Sequence, residues 1–234
     1  GASIKDADQS NAMSDQYDLL IEIIRDGRIS YPPHNSEDHI PADLKYDPYY
    51  FYSIDRRIDA SSNEMINPSM VCFCDIPIED LGIHIQKYSP FGLSFLKSFL
   101  IERGANPVFY IARSSGIHGT TRGEYFNERI KLYLKTCFGT TPIGENCDDV
   151  SSFINDMLCF LKFFDPEKAD EDIDNFYMER EWRSLFNIYF EIKDIERIIL
   201  PKSFAERFRN DVPDYFGQIT FSDGHMVSTP KTRC

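Results

Sequence analysis

Residues 70–76, which are followed at once by Pro77, constrain the fold more than any other part of the sequence. This run is apolar apart from Asp75, and its length and composition are typical of a buried strand. A proline at the first helical position, with Glu79 and Asp80 after it, predicts a helix, because acidic side chains are favoured at a helix N-terminus. The sequence therefore predicts a strand that leads directly into a short helix.

The other secondary-structure signals alternate irregularly along the chain. Helical patterns are predicted over residues 18–26, 96–103, 125–138, 150–164 and 204–211, and strand patterns over 91–95, 107–112, 176–188, 195–200 and 218–221. A regular βαβ rhythm, a G-x-G-x-x-G motif and a P-loop are all missing, which disfavours a Rossmann or P-loop architecture. We therefore predict one α+β domain over residues 17–234, with small curved mixed or antiparallel sheets and flanking helices. Residues 1–16 are expected to be a tail, either a tag remnant or a shortened start.

The net charge of −13 and the pI near 4.8 argue against a broad nucleic-acid surface, which needs Lys and Arg to neutralise phosphates. The same charge would attract a basic protein partner. No run approaches the roughly 18 apolar residues of a membrane-spanning helix, and no signal peptide is recognised. We therefore expect a cytoplasmic protein.

The cysteine pattern predicts no metal site. No C-x-x-C pair occurs, and no histidine lies at metal-ligand spacing from a cysteine. We expect buried free thiols in a reducing compartment. The six cysteines are Cys72, Cys74, Cys137, Cys147, Cys159 and Cys234.

A polar stripe lies about a hundred residues after the first strand. Alternate residues of a strand share one face, so a strand here would bring Glu179, Glu181 and Arg183 together. Two neighbouring carboxylates raise the pKa of one of them, and a guanidinium lowers it again. Such a set suits a general base or a carboxylate that binds a ribose hydroxyl. A surface strand with an ion pair has the same spacing, so both interpretations stay open.

Three further residues are candidates for substrate binding. Asp75 would either cap the helix that follows it or lie in a cleft at the end of its strand. Tyr88 and Phe91 would either wall a pocket or pack in the core. Catalysis would require the stripe at residues 179–183 to lie alongside the segment 72–75 in one hollow.

The sequence of residues 70–112 closely resembles the AbiGi family of bacterial abortive-infection, or phage-resistance, proteins. Residues 29–35, Ile-Ser-Tyr-Pro-Pro-His-Asn, and residues 179–183, Glu-Arg-Glu-Trp-Arg, match the same family pattern in the same order. The resemblance covers most of residues 17–205. It implies the antitoxin of a two-gene toxin–antitoxin system whose partner is a nucleotidyltransferase-like toxin.

A weaker similarity is to ADP-ribosyltransferase-like folds. Their layout has a cysteine-containing strand, an aromatic–glycine strand and a later Glu-x-Glu-Trp-Arg strand. The similarity implies NAD as cofactor, Glu181 or Glu179 as the catalytic carboxylate, and Arg183 as the group that holds a phosphate or the carboxylate pair. Relatives of the AbiGi family carry a Thr-His-Phe segment before the first helix, and this sequence departs from that pattern because it has none before residue 18. On the basis of the strand layout, an NAD-dependent ADP-ribosyltransferase is the alternative to an antitoxin.

Overall fold

The computed structural model describes residues 4–30, 52–54, 66–68, 70–112, 125, 128–130, 132, 157–169, 172 and 175–225. Within these residues the strands form five small sheets of two or three strands, and both antiparallel and parallel pairs occur. Helices accompany the sheets, which confirms the predicted α+β class. The chain divides into two compact units, which are described separately below.

The first unit contains Gly1–Ile29, Ile76–Arg103 and Ile188–Cys234. Helix α1, Ile4–Asp26, begins earlier than the predicted residue 18. It ends at Gly27, whose φ of +60° favours glycine, and a Cβ there would lie 2.7 Å from the carbonyl oxygen of Phe190. Strand β1, Arg28–Ile29, follows and pairs antiparallel with β10, Ile188–Tyr189.

The main sheet of the first unit has strand β11 at its centre. Strand β11, Ile195–Leu200, pairs in parallel with β12, Gln218–Phe221, and antiparallel with β5, Gly92–Phe95. The bounds of β11 and β12 agree with the prediction. Ile198 and Leu200 are two residues apart, so they lie on the same face of β11, and both are fully buried.

Three further helices of the first unit lie next to the strands of this sheet along the chain. A 3-10 turn, Ile78–Asp80, continues into α2, Leu81–Lys87, as the sequence predicts. Helix α3 is Lys97–Ile101, and α4 is Ala205–Asp211. Pro77 occupies the cap position of the 3-10 turn, two residues after Asp75, and its side chain forms no capping hydrogen bond. No described helix is both long and apolar enough to cross a membrane.

The second unit contains Ser30–Asp75 and Gly104–Asn187. Its described strands are β2, Tyr52–Ile54; β3, Ile66–Pro68; β4, Val71–Cys74; β6, Asn106–Pro107; β7, Phe109–Ala112; β8, Leu161–Phe164; and β9, Glu181–Ser184. Three of them form an antiparallel sheet with the order β4-β9-β6. A second sheet pairs β7 with β8 in parallel, and a third pairs β2 with β3.

Two predictions of element type are wrong in the second unit. The helix predicted over residues 150–164 does not reach its end, because Leu161–Phe164 forms β8 beside the apolar strand β7. An uninterrupted apolar run does not distinguish a buried strand from a helix. The strand predicted from residue 176 begins only at Glu181, because Phe176–Glu179 forms a 3-10 turn that the side chain of Asn175 caps. Residues 125, 128–130 and 132 are helical, as predicted.

Candidate functional site

The candidate site is built on the pairing of β4 with β9. Cys72 lies opposite Arg183, and Cys74 lies opposite Glu181. The two segments that the sequence analysis required to converge therefore lie side by side in one sheet of the second unit. Opposed residues of an antiparallel pair share a face, so two thiols, a carboxylate and a guanidinium are brought together.

Glu181 holds a buried negative charge between two cations. Its side chain is 7% exposed, the Nε of Arg183 donates to Oε1 at 2.6 Å, and the Nζ of Lys162 forms an ion pair with Oε2 at 2.9 Å. Burial alone would raise the pKa of Glu181. The hydrogen bond and charge of Arg183, followed by those of Lys162, outweigh burial and lower this pKa. The carboxyl group is therefore ionised at neutral pH, with a cation at each oxygen.

Arg183 connects β9 to the entry of β8. Besides its bond to Glu181, its Nη1 donates to the carbonyl oxygen of Cys159 and, at 3.2 Å, to that of Leu161. A buried guanidinium is stable only where its donors are satisfied and its charge is paired. The residue is 7% exposed, so these contacts fix the chain before β8 against the sheet of β9.

Lys162 completes the set of charges. Its ammonium lies 2.9 Å from Oε2 of Glu181, 3.7 Å from Oε2 of Glu179 and 4.7 Å from the centre of the Phe176 ring. Lys162 was not predicted as a site residue, because the sequence pattern assigned residues 150–164 to a helix. The available signal was a single lysine in the apolar run 158–164, since a buried ammonium needs a counter-charge. We call Glu179, Glu181, Lys162 and Arg183 the ion cluster.

Tyr110 of β7 supports the start of β9. The backbone N–H of Glu181 donates to the Tyr110 hydroxyl at 2.6 Å. Burial, and after it the Glu181 and Glu179 carboxylates, raise the pKa of Tyr110 to about 12 even though the backbone hydrogen bond lowers it. The Tyr110 ring contacts those of Tyr177 and Phe164 edge-on. The phenol therefore stays protonated and acts as a neutral link between β7 and β9.

Cys72 and Cys74 lie beside the ion cluster, and neither forms a disulfide. Cys72 is exposed as a residue and Cys74 is half-buried, so the expectation of burial holds only for Cys159 among the described cysteines. Desolvation of the thiol, and after it the Glu181 charge, raise the pKa of Cys72 to about 12; desolvation and the Glu179 charge raise that of Cys74 to about 11. Both are thiols at neutral pH, whereas nucleophilic attack and metal binding use the thiolate.

The six residues predicted for the site divide between the two units. Glu179, Glu181, Arg183 and Asp75 belong to the second unit, and the backbone N–H of Asp75 donates to the carbonyl oxygen of Arg180 at 3.1 Å. Glu179 does not lie on β9, because Arg180 has a φ of +43° between the 3-10 turn and the strand. Glu179 nevertheless reaches the cluster through Lys162.

Tyr88 and Phe91 belong to the first unit. The Phe91 ring packs edge-on against Phe204 and Tyr17, with centroids 5.1 and 6.0 Å apart, which is a core contact. Tyr88 is 53% exposed, and its ring lies 4.6 Å from that of His84. The packing interpretation of Phe91 therefore agrees with its contacts.

The ion cluster has the chemistry of a cross-link. Two carboxylates and two cations balance, and the described contacts join β8, β9 and the 3-10 turn before β9. A general base needs an oxygen that can reach a substrate proton, and a raised pKa improves it. Glu181 has a lowered pKa and a cation at each oxygen, so in this arrangement it is a weak proton acceptor.

Residues 49–215 match the family model described as "Putative abortive phage resistance protein AbiGi, antitoxin". The matched residues contain β4, β9 and the whole ion cluster, which places the chain in the class of abortive-infection antitoxins. Because the match covers most of the chain, this protein belongs to the AbiGi family. No curated protein and no solved structure shows significant similarity to it.

Proposed function

We propose that this protein is the antitoxin of a two-gene abortive-infection system in the bacterial cytoplasm, and that it acts by binding its cognate toxin directly. The AbiGi family match over residues 49–215 is the observation that carries the proposal. The ion cluster supports a role without catalysis, because Glu181 and Arg183 are occupied by each other and by neighbouring protein groups.

The proposed partner is a nucleotidyltransferase-like toxin. An enzyme that handles nucleotides must hold phosphate groups, and Lys and Arg side chains provide the strong charge-assisted hydrogen bonds for this purpose. Such a surface is electrostatically complementary to a chain of net charge −13. Long-range attraction of this kind speeds encounter and orients the partners.

Co-expression with the adjacent operon product tests the proposal. We expect the toxin alone to arrest growth, the pair to restore it, and the two proteins to elute together in size-exclusion chromatography. Growth arrest that persists in the presence of the full chain, with no complex on the column, would refute the antitoxin function.

The alternative is an NAD-dependent ADP-ribosyltransferase in which Glu181 is catalytic. The pairing of β4 with β9 favours it, because that layout requires the two strands to lie together. The purified chain should then release nicotinamide from NAD, and Glu181→Gln should abolish this activity. A thermal melt of the variant must accompany the assay, because Glu181 also supports the fold. Equal background activity for both proteins would eliminate the alternative.

A further inference from the structure

Phe216 is the most exposed large apolar side chain among the described residues. It is 90% exposed, whereas the others classed as exposed lie between 40% and 56%. Single exposed apolar residues are ordinary on protein surfaces. A phenylalanine that is almost wholly in water, however, gains the favourable free energy of burial only when a partner removes its ring from water.

The backbone on both sides of Phe216 is fixed. Tyr215 is 2% exposed, its hydroxyl donates to the carbonyl oxygen of Gln218 at 2.8 Å, and its own carbonyl accepts from Nη1 of Arg209 at 3.0 Å. A Cβ at Gly217 would clash with the hydroxyl oxygen of Tyr215, so a larger residue does not fit without a shift. The ring is therefore presented from an ordered turn, and little backbone entropy would be lost if a partner bound it.

The first unit also contains a cleft of about 290 Å³, whose lining includes Asp214, two residues before Phe216. Its volume lies just below the roughly 300–1,000 Å³ of small-molecule sites, which suits one or two side chains of a protein partner. Three carboxylates and one guanidinium line it, so its charge is negative. The lining residues are Ile24, Arg25, Gly27, Phe190, Glu191, Ile192, Asp211, Val212, Pro213 and Asp214.

The three carboxylates of the cleft differ in their contacts with other side chains. Asp211 accepts from the Tyr17 hydroxyl at 2.7 Å and lies 3.6 Å from Nε of Arg207, and Glu191 pairs with Lys193 at 2.7 Å. Asp214 is exposed and stands two residues before Phe216. Two residues of extended chain span at most about 7 Å, so the exposed residues Asp214 and Phe216 are close neighbours along the backbone.

We propose that Phe216 and this cleft form the docking surface for the cognate toxin, which would insert a basic side chain beside Asp214 and enclose the Phe216 ring in an apolar pocket. The inference rests on the proposed antitoxin function. The cleft and the whole chain are both negatively charged, so they are complementary to the basic surface that we propose for the toxin. Aromatic residues, phenylalanine among them, are enriched at the buried cores of protein interfaces.

The test measures the Kd of the purified full chain for the purified toxin. Phe216→Ala should weaken binding by about thirtyfold or more, which corresponds to a hot-spot residue, and Asp214→Asn by several-fold, with a loss that shrinks at high salt. Phe109→Ala, at an aromatic residue that is 56% exposed, and Glu102→Gln are the matched controls and should change Kd less than twofold. Melting temperatures should be unchanged for Phe216→Ala, because its side chain packs against little.

The outcomes separate the two proposals. Absence of binding by the unmodified chain would refute the antitoxin function and this surface with it. Unchanged affinity in both Phe216→Ala and Asp214→Asn, with normal binding by the unmodified chain, would refute the surface alone. A dimer of the unmodified chain that Phe216→Ala abolishes, with toxin affinity unchanged, would assign the surface to a second copy of this chain and overturn the inference.

Discussion

Glu181 carries its charge where water hardly reaches it, so the two cations around it matter for stability as well as for chemistry. If the carboxylate is replaced, Arg183 and Lys162 remain buried without this counter-charge. Removal of one partner from a buried ion pair typically costs about 3–5 kcal/mol. Lys162 retains Glu179 at 3.7 Å, which reduces the loss.

We therefore predict that Glu181→Gln lowers the free energy of unfolding by about 3 kcal/mol. Urea denaturation followed by circular dichroism measures this value. Glu102→Gln is the control, because that side chain is 76% exposed and its pair with Arg103 spans 3.9 Å, so its effect should stay within about 0.5 kcal/mol. A Glu181 variant as stable as the control would show that the cluster does not cross-link the second unit.

The same carboxylate gives the protein an acid-sensitive component of stability. The pKa of Glu181 in the folded protein lies below its ordinary value of 4.5. The charged form is therefore favoured by folding, and its contribution is present above about pH 4.5 and is lost as the pH falls through the folded-state pKa.

Stability should consequently decrease below pH 4.5 more steeply in the unmodified chain than in Glu181→Gln. Denaturant unfolding at a series of pH values between neutrality and pH 3 measures both curves. Parallel curves over this interval would contradict the assignment, because they would mean that Glu181 does not take part in the acid transition.

At the scale of the elements, local patterns explain part of the structure. Strand β11 consists of β-forming residues and ends just before Pro201, and β12 begins just after Gly217. Pro77 marks the start of the helical turn after β4. Strand β8 is different, because its apolar run has no periodicity and only its parallel pairing with β7 makes it a strand. Long-range pairing therefore overrides local preference there.

The candidate site likewise combines features that follow from local sequence patterns with features that depend on long-range contacts. The spacing of Glu181 and Arg183 places them on one face of β9, and that much is readable from the sequence. Lys162 reaches Glu181 only because β8 and β9 converge in the fold, and the left-handed Arg180 that removes Glu179 from the strand has no clear local signal. Contacts between residues far apart in the chain are not encoded in a short pattern.

The end of α1 permits a test of a single backbone position. At Gly27 an alanine would have to adopt a φ near +60°, and its Cβ would meet the Phe190 carbonyl oxygen at 2.7 Å. Gly27→Ala should lower the free energy of unfolding by about 1–3 kcal/mol. Gly224→Ala is the matched control, since a Cβ there meets nothing within 4 Å. Equal melting temperatures for the two variants would argue against a required glycine at this helix end.

The molecule as a whole is assembled from interleaved segments. Three separate parts of the chain build the first unit and two build the second, so each unit depends on contacts between distant residues. The family match runs through segments of both units, which means that the AbiGi sequence pattern describes this interleaved arrangement and not one local motif.

The net charge of −13 leads to a prediction at this scale. If the toxin presents a basic surface, long-range attraction should accelerate association, and added salt should screen it because the Debye length falls from about 10 Å at 0.1 M to about 3 Å at 1 M. The association rate constant measured by stopped-flow fluorescence should drop by at least about tenfold over this interval, whereas the dissociation rate should change little.

Replacement of the exposed carboxylates of Glu102, Glu167 and Glu206 by amides should lower the association rate constant at low salt and flatten its salt dependence without altering the docking surface. An association rate that is insensitive to salt would mean that the partner is not basic, and it would remove the electrostatic basis on which both the toxin class and the occupant of the Phe216 surface were chosen.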